Sequence, residues 1–141
     1  MSQYSHTDKL EDLWQAYADT VFLVDSPLPD WPQAAIITAC NPPGEIMTAT
    51  ENHRLHNQLV HHLAGRNLMF SEITGASPDH AHQERSLLIR CSKKQANALS
   101  EKVSQNAFFW IEQGTLYLCP CLLRQVTERR LGNFSARLIH R

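Results

Sequence analysis

A nearly unbroken apolar run, Ala34-Ala35-Ile36-Ile37-Thr38-Ala39, and two tetrapeptides of capping-box form, Thr48-Ala49-Thr50-Glu51 and Ser92-Lys93-Lys94-Gln95, predict an α+β fold. Together with the apolar stretches between them they set out the order β-α-β-β-α-β from Ala34 to Ile111, the order of a ferredoxin-like split βαβ unit. That core is an antiparallel-dominated sheet with its helices on one face. It is extended by an N-terminal helix and strand, by a C-terminal strand and by a basic tail, giving six strands if all of them pair.

Each element has its own reason. Leu10, Leu13, Trp14 and Tyr17 follow the i, i+3, i+4, i+7 spacing of an amphipathic helix over residues 8–19, with Thr7 or Ser5 as cap. Val21 to Asp25 is a short strand, and the three prolines of Ser26-Pro27-Leu28-Pro29-Asp30-Trp31-Pro32 make the next segment a stiff loop. The Ala34 run lacks alternation, so it is expected inside the sheet with both faces covered. Asn41-Pro42-Pro43-Gly44 breaks it, and a helix follows from the first capping box to about Gly65. Leu68 to Thr74 is a strand, residues 75–84 a polar loop, and Ser86 to Cys91 another strand. In the third helix Ala96, Leu99 and Val103 keep one face apolar up to Asn106, a candidate cap. Ala107 to Ile111 and Thr115 to Cys119 flank Glu112-Gln113-Gly114, a hairpin signal, and Pro120 ends the second strand.

With 43% apolar and 19% charged residues, the 141-residue chain is too apolar for disorder and has the length of one domain. No stretch approaches the ~18 apolar residues that span a bilayer, and the start Met1-Ser2-Gln3-Tyr4-Ser5-His6-Thr7-Asp8 has no leader pattern, so a cytoplasmic protein without membrane contact is expected. Four cysteines are too few for a disulfide scaffold; Cys40, Cys91 and Cys119 adjoin apolar runs and read as reduced. Charge is unevenly spread, −5 over residues 1–70 and +4 over residues 71–141. The reading divides the chain into a single α+β domain, 1–121, and a basic C-terminal extension, 122–141, whose five Arg and one Glu contribute +4. That extension is expected to add little to the core, and Arg124, Arg129, Arg130 and Arg137 offer protein or RNA contact.

Several stretches, Leu13-Trp14-Gln15-Ala16-Tyr17, Ile37-Thr38-Ala39-Cys40-Asn41-Pro42, Glu51-Asn52, Ser77-Pro78-Asp79, the His82, Glu84, Ser86 series and Gln105-Asn106-Ala107-Phe108-Phe109-Trp110, resemble a bacterial family, domain of unknown function 3293. The resemblance runs from about Leu13 to Cys121 and implies no activity. Where that family tends to carry Arg-Asn, this chain has Leu55-His56 before Asn57.

Asn41 falls at the carboxyl end of the central strand, before a helix N-terminus whose free amides favour a polar or anionic ligand; the bland alternative is an Asx-turn. Asn52 lies on the stripe of Leu55, Leu59 and Leu63, so its amide faces a pocket at the sheet's end or ties down the Pro42-Pro43 turn. With Glu51, Asp79 and Asn106 they form the predicted ligand-binding set. Asp79, His80, His82 and Glu84 are the densest group of acid-base residues, and His82 and Glu84 are the catalytic candidates, alternatively a pair that orders their loop. Without the helical scaffold of an HExxH motif, no metal is expected there.

Cys119-Pro120-Cys121 lacks CxxC spacing and reads as structural. His53, His56, His61 and His62 read as a mostly exposed helix face that gains charge below about pH 6.5, with His62 leaning toward the leucine stripe. Phe108, Phe109 and Trp110 lack the basic residues of an RNA-binding sheet. No GxGxxG, P-loop, GxSxG or EF-hand spacing occurs, and no cofactor is expected. The sequence therefore favours a small-ligand or partner-binding domain, ahead of an enzyme using His82 and Glu84 on a polar substrate and of an RNA- or protein-contacting module led by the tail.

Overall fold

The computed structural model describes residues 6–43 and 45–141. In chain order the elements are α1 (His6–Ala18), β1 (Val21–Val24), β2 (Gln33–Ile37), α2 (Ala49–Gly65), β3 (Phe70–Ala76), β4 (Gln83–Ile89), α3 (Lys93–Lys102), β5 (Ala107–Glu112), β6 (Thr115–Pro120), β7 (Arg129–Asn133) and β8 (Leu138–His140), with a short 3-10 helix over Phe134–Arg137. The fold is α+β. One eight-stranded sheet has the order β7-β6-β5-β2-β4-β3-β1-β8. Every pairing is antiparallel except the parallel one between β1 and β8.

β2 sits inside the sheet, and alternation along it divides the core. Ala35 and Ile37 join Leu87, Ile89, Phe108 and Trp110 on the face covered by Leu59 and Leu63 of α2 and by Ala96 and Leu99 of α3. Ala34 and Ile36 turn the other way, toward Phe22, Ile73, Leu88 and Ile111. Burial on both sides explains why the strand reads as a continuous apolar run.

The sheet is curled. β1 and β5 are four strands apart in the order, about 19 Å at the usual strand spacing. Yet the rings of Phe22 and Phe109 meet edge to face at 5.1 Å. The second core is therefore the inside of the curl, and Trp14 and Ala18 of α1 pack on Leu118 and Phe109 beside it.

Several expectations change. The tail is part of the sheet: β7 and β8 come from it, giving eight strands rather than six, and Leu131, Phe134 and Leu138 pack on the inner core. The small contribution expected of residues 122–141 is thus corrected, because their scattered apolar side chains have a concave face to fill. The strands β3 and β4 reach Ala76 and begin at Gln83, so the loop expected over 75–84 shrinks to a turn over residues 77–82. His56, expected on an exposed face, is fully buried. Of the two capping boxes, Ser92–Gln95 is complete, whereas at α2 only the Thr48 side chain accepts from the Glu51 amide. Ser5 and the side chain of Thr7 lie outside the described residues, and α3 is capped at Val103 rather than Asn106.

Candidate functional site

The ends of β2 and β4, the first turn of α2, the end of α1 and the start of β5 bring a polar group together. Asn41 has a left-handed backbone, φ 45, which Asn tolerates better than most residues. Its main-chain N–H donates to Asn52 Oδ1 at 2.9 Å, and its Oδ1 accepts from Asn52 Nδ2 at 3.0 Å and from the Met47 amide at 2.9 Å. Its Nδ2 donates to Glu84 Oε2 at 3.2 Å. The two asparagines thus bond each other rather than forming a simple Asx-turn or capping the prolines. They fasten the exit of β2 to the entry of α2, with Glu84 of β4 as third member.

Glu84 is half-buried, and loss of hydration raises its carboxyl above the ordinary range, partly offset by the Asn41 bond. Among the described residues no cation lies within ion-pair distance of it. Tyr17 of α1 is near enough for the Glu84 charge to act on it; burial first, and that charge as well, raise the Tyr17 hydroxyl, while Asn106 Nδ2 donates to it at 3.5 Å. The Cys40 thiol, also raised chiefly by burial and to a smaller extent by Glu84, lies beside the knot. Buried Gln105 donates from Nε2 to the Cys40 carbonyl at 3.1 Å and anchors the β2 exit to the segment before β5.

Of the sequence candidates, Asn41, Asn52 and Glu84 are in direct contact, and Asn106 joins them through Tyr17. The others are engaged elsewhere. Asp79 accepts from Ser77 Oγ at 2.7 Å and from the Ala81 amide at 3.0 Å, which hold its carboxyl below the usual range. His82 gives its amide to Ser77 Oγ in that turn, and among the described residues its side chain makes no hydrogen bond to Glu84, Asn41 or Asn52. Glu51 pairs with Arg54 at the surface, 2.9 Å. No group of three His, Cys, Asp or Glu suited to a metal ion occurs among the described residues. Tyr17, Cys40 and Gln105 escaped sequence reasoning; the one hint was Tyr17, an aromatic with a polar tip on the apolar face of a helix.

The arrangement is a negatively charged oxygen held by an amide and flanked by a phenol and further amides, suited to donors. A family described as "Protein of unknown function (DUF3293)" matches residues 37–108, a stretch that includes Asn41, Asn52, Glu84 and Asn106. The chain belongs to this family. No curated protein and no solved structure matches the chain. Among the described residues no helix is long and apolar enough to cross a membrane, and the four cysteines are free and buried.

Proposed function

We propose that this DUF3293 protein is a small-ligand-binding domain, with Glu84 and Tyr17 as the polar contacts and Asn41, Asn52 and Asn106 as the frame that aims them. The observation that carries it is the Glu84 carboxylate, half-buried with one hydrogen bond and no cation among the described residues. Such a charge is costly to leave uncompensated, and a ligand presenting N–H donors (an amine, amide or guanidine) relieves that cost. A differential-scanning test with a panel of small amines, amides and guanidines is expected to raise the melting temperature for at least one class. That rise should be lost in Glu84→Gln and reduced in Tyr17→Phe; an equal rise in Glu84→Gln, or none with any compound, refutes the reading.

A second reading has Glu84 as a general base, favoured by its raised carboxyl beside the Tyr17 hydroxyl. It differs from the His82–Glu84 expectation in leaving His82 out, and turnover of a bound compound separates it from simple binding. The tail as an RNA- or protein-contacting module has less support: Arg129 donates to Gln15, Arg137 to the Ala18 and Thr20 carbonyls, and Arg124 lies 4.0 Å from Glu101. The order β5-β2-β4-β3, with both α2 and α3 against the same core, supports a ferredoxin-like centre within the larger sheet. Free cysteines suit a reducing compartment such as the cytoplasm.

A further inference from the structure

On the helical face two cavities adjoin between α2 and α3. One of about 300 Å³ has Ala39, Pro42, Leu55 and Leu59 in its wall. The other, about 290 Å³, has Leu68, Ala98, Leu99 and Arg66. His62 and Lys102 line both, so the two form one groove with an apolar floor and a basic middle. Taken together they reach the size of a pocket for a small molecule.

Three basic side chains converge there. His62 and Arg66 are one turn apart on α2, and Lys102 faces them from the last turn of α3. Elsewhere Arg54, Arg85, Lys93 and Arg141 each find a carboxylate, and Arg90, Arg129 and Arg137 bond neutral groups singly rather than in a cluster. Among the described residues none of His62, Arg66 and Lys102 finds a carboxylate. The bland explanation is the helix dipole, since Arg66 caps α2 and Lys102 closes α3. It accounts for each cation alone, but not for their meeting across one apolar-floored groove without an acid. Partial burial, and after it the charges of Lys102 and Arg66, hold His62 below its ordinary range.

From this juxtaposition we propose that the groove between α2 and α3 is a second binding site, for an amphipathic anion. Its carboxylate or phosphate monoester head lies among His62, Arg66 and Lys102, and its apolar body lies along Leu55, Leu59 and Leu99. The charged groups facing His62 are Arg66 from its own helix and Lys102 from α3; Pro42, which closes the far end, carries no charge. A bound anion stabilises protonated His62, so it raises the titration midpoint of His62, and binding tightens as pH falls through that titration.

The test is a nuclear magnetic resonance titration of the full chain with octanoate and with octyl phosphate, following the His62 ring and Leu99 methyl signals. Either anion is expected to shift both sets saturably and to raise the His62 midpoint, and the stronger of the two names the head group. Octylamine of the same chain length should not do so. Lys102→Glu, at an exposed position where the fold is kept, should weaken binding by about 10-fold or more, and Arg66→Gln should weaken it in the same direction. Three results overturn the proposal: unchanged affinity in Lys102→Glu with an unchanged melting temperature, octylamine binding as well as octanoate, or acetate giving the full His62 response without the apolar body. Glu84→Gln should leave this titration unaltered, which keeps the outcome distinguishable from that of the Glu84 site.

Discussion

Glu84 is an acid that weakens its own fold, and this separates a binding role from a scaffold role. Because burial raises its carboxyl in the folded protein, the folded state holds the proton more tightly than the unfolded chain, whose carboxyl stays near 4.5. Stability therefore increases as pH falls through the raised value, and the penalty of the buried charge is present in full only above it. Glu84→Gln keeps an acceptor for Asn41 Nδ2 while removing that charge. It is expected to have a higher urea midpoint than the parent near pH 7 and to lose this advantage as pH approaches about 4. A parent protein more stable than the variant near neutrality contradicts the assignment. Asn52 behaves oppositely: Asn52→Ala removes two bonds and leaves the Asn41 N–H without its acceptor, so it should cost about 1–3 kcal/mol in the same measurement. One residue of the cluster thus holds the frame, and another is tolerated at a cost to it.

At the scale of elements, what could be read from the sequence was what is local. The start of α3 lies in four consecutive residues, where Ser92 accepts from the Gln95 amide and Gln95 accepts from the Ser92 amide. Ser92→Ala is expected to cost about 1 kcal/mol of stability by urea unfolding, and Thr48→Ala, which cuts one bond rather than a reciprocal pair, should cost less. The Gln113-Gly114 turn was likewise legible, since both residues take positive φ, 50 and 81, between paired Glu112 and Thr115. The ends of β3 and β4 were not: Gly75, Glu84 and Arg85 are polar or small, and what makes them strand is pairing, Gly75 with Glu84 and Arg85 with Thr74. Nor was β7, whose Arg129-Arg130-Leu131-Gly132-Asn133 has little strand propensity and is held by β6. His56 shows the same limit at the candidate-site scale. Its partner, Glu72 Oε2 at 2.9 Å, comes from the next strand, and no helical periodicity reveals that. The Asn41–Asn52–Glu84 knot was foreseeable only because strand end, helix start and loop meet at one end of this topology; Tyr17 arrives from α1, which lies outside the repeating order.

Across the whole molecule, the uneven charge of the sequence becomes a clasp. The basic tail supplies both edge strands of the curled sheet, and its last residue, Arg141, meets Asp25 with two hydrogen bonds of 2.9 and 3.0 Å, while Arg137 reaches the Ala18 and Thr20 carbonyls around the end of α1. The exposed Arg141–Asp25 ion pair contributes little, because water screens it and long side chains lose freedom in making it. The apolar contacts decide: Phe134 meets Phe22 at 5.7 Å, and Leu131 and Leu138 pack on the same inner cluster. Phe134→Ala should cost on the order of 2 kcal/mol, below the ~3–5 kcal/mol of a fully buried phenylalanine because this ring is only half-buried. Deletion after Cys121 takes away much more, since β7 and β8 leave together, baring Leu116 and Phe22 and removing one of the two hydrogen-bonded neighbours of β6 and of β1. Against a typical stability of about 5–15 kcal/mol that loss is decisive, and the truncated chain is expected to unfold without a sharp transition in urea and to bind a hydrophobic dye. A truncated chain that melts as cooperatively as the parent would show instead that the inner face needs no cover, and that the tail is an accessory to the sheet.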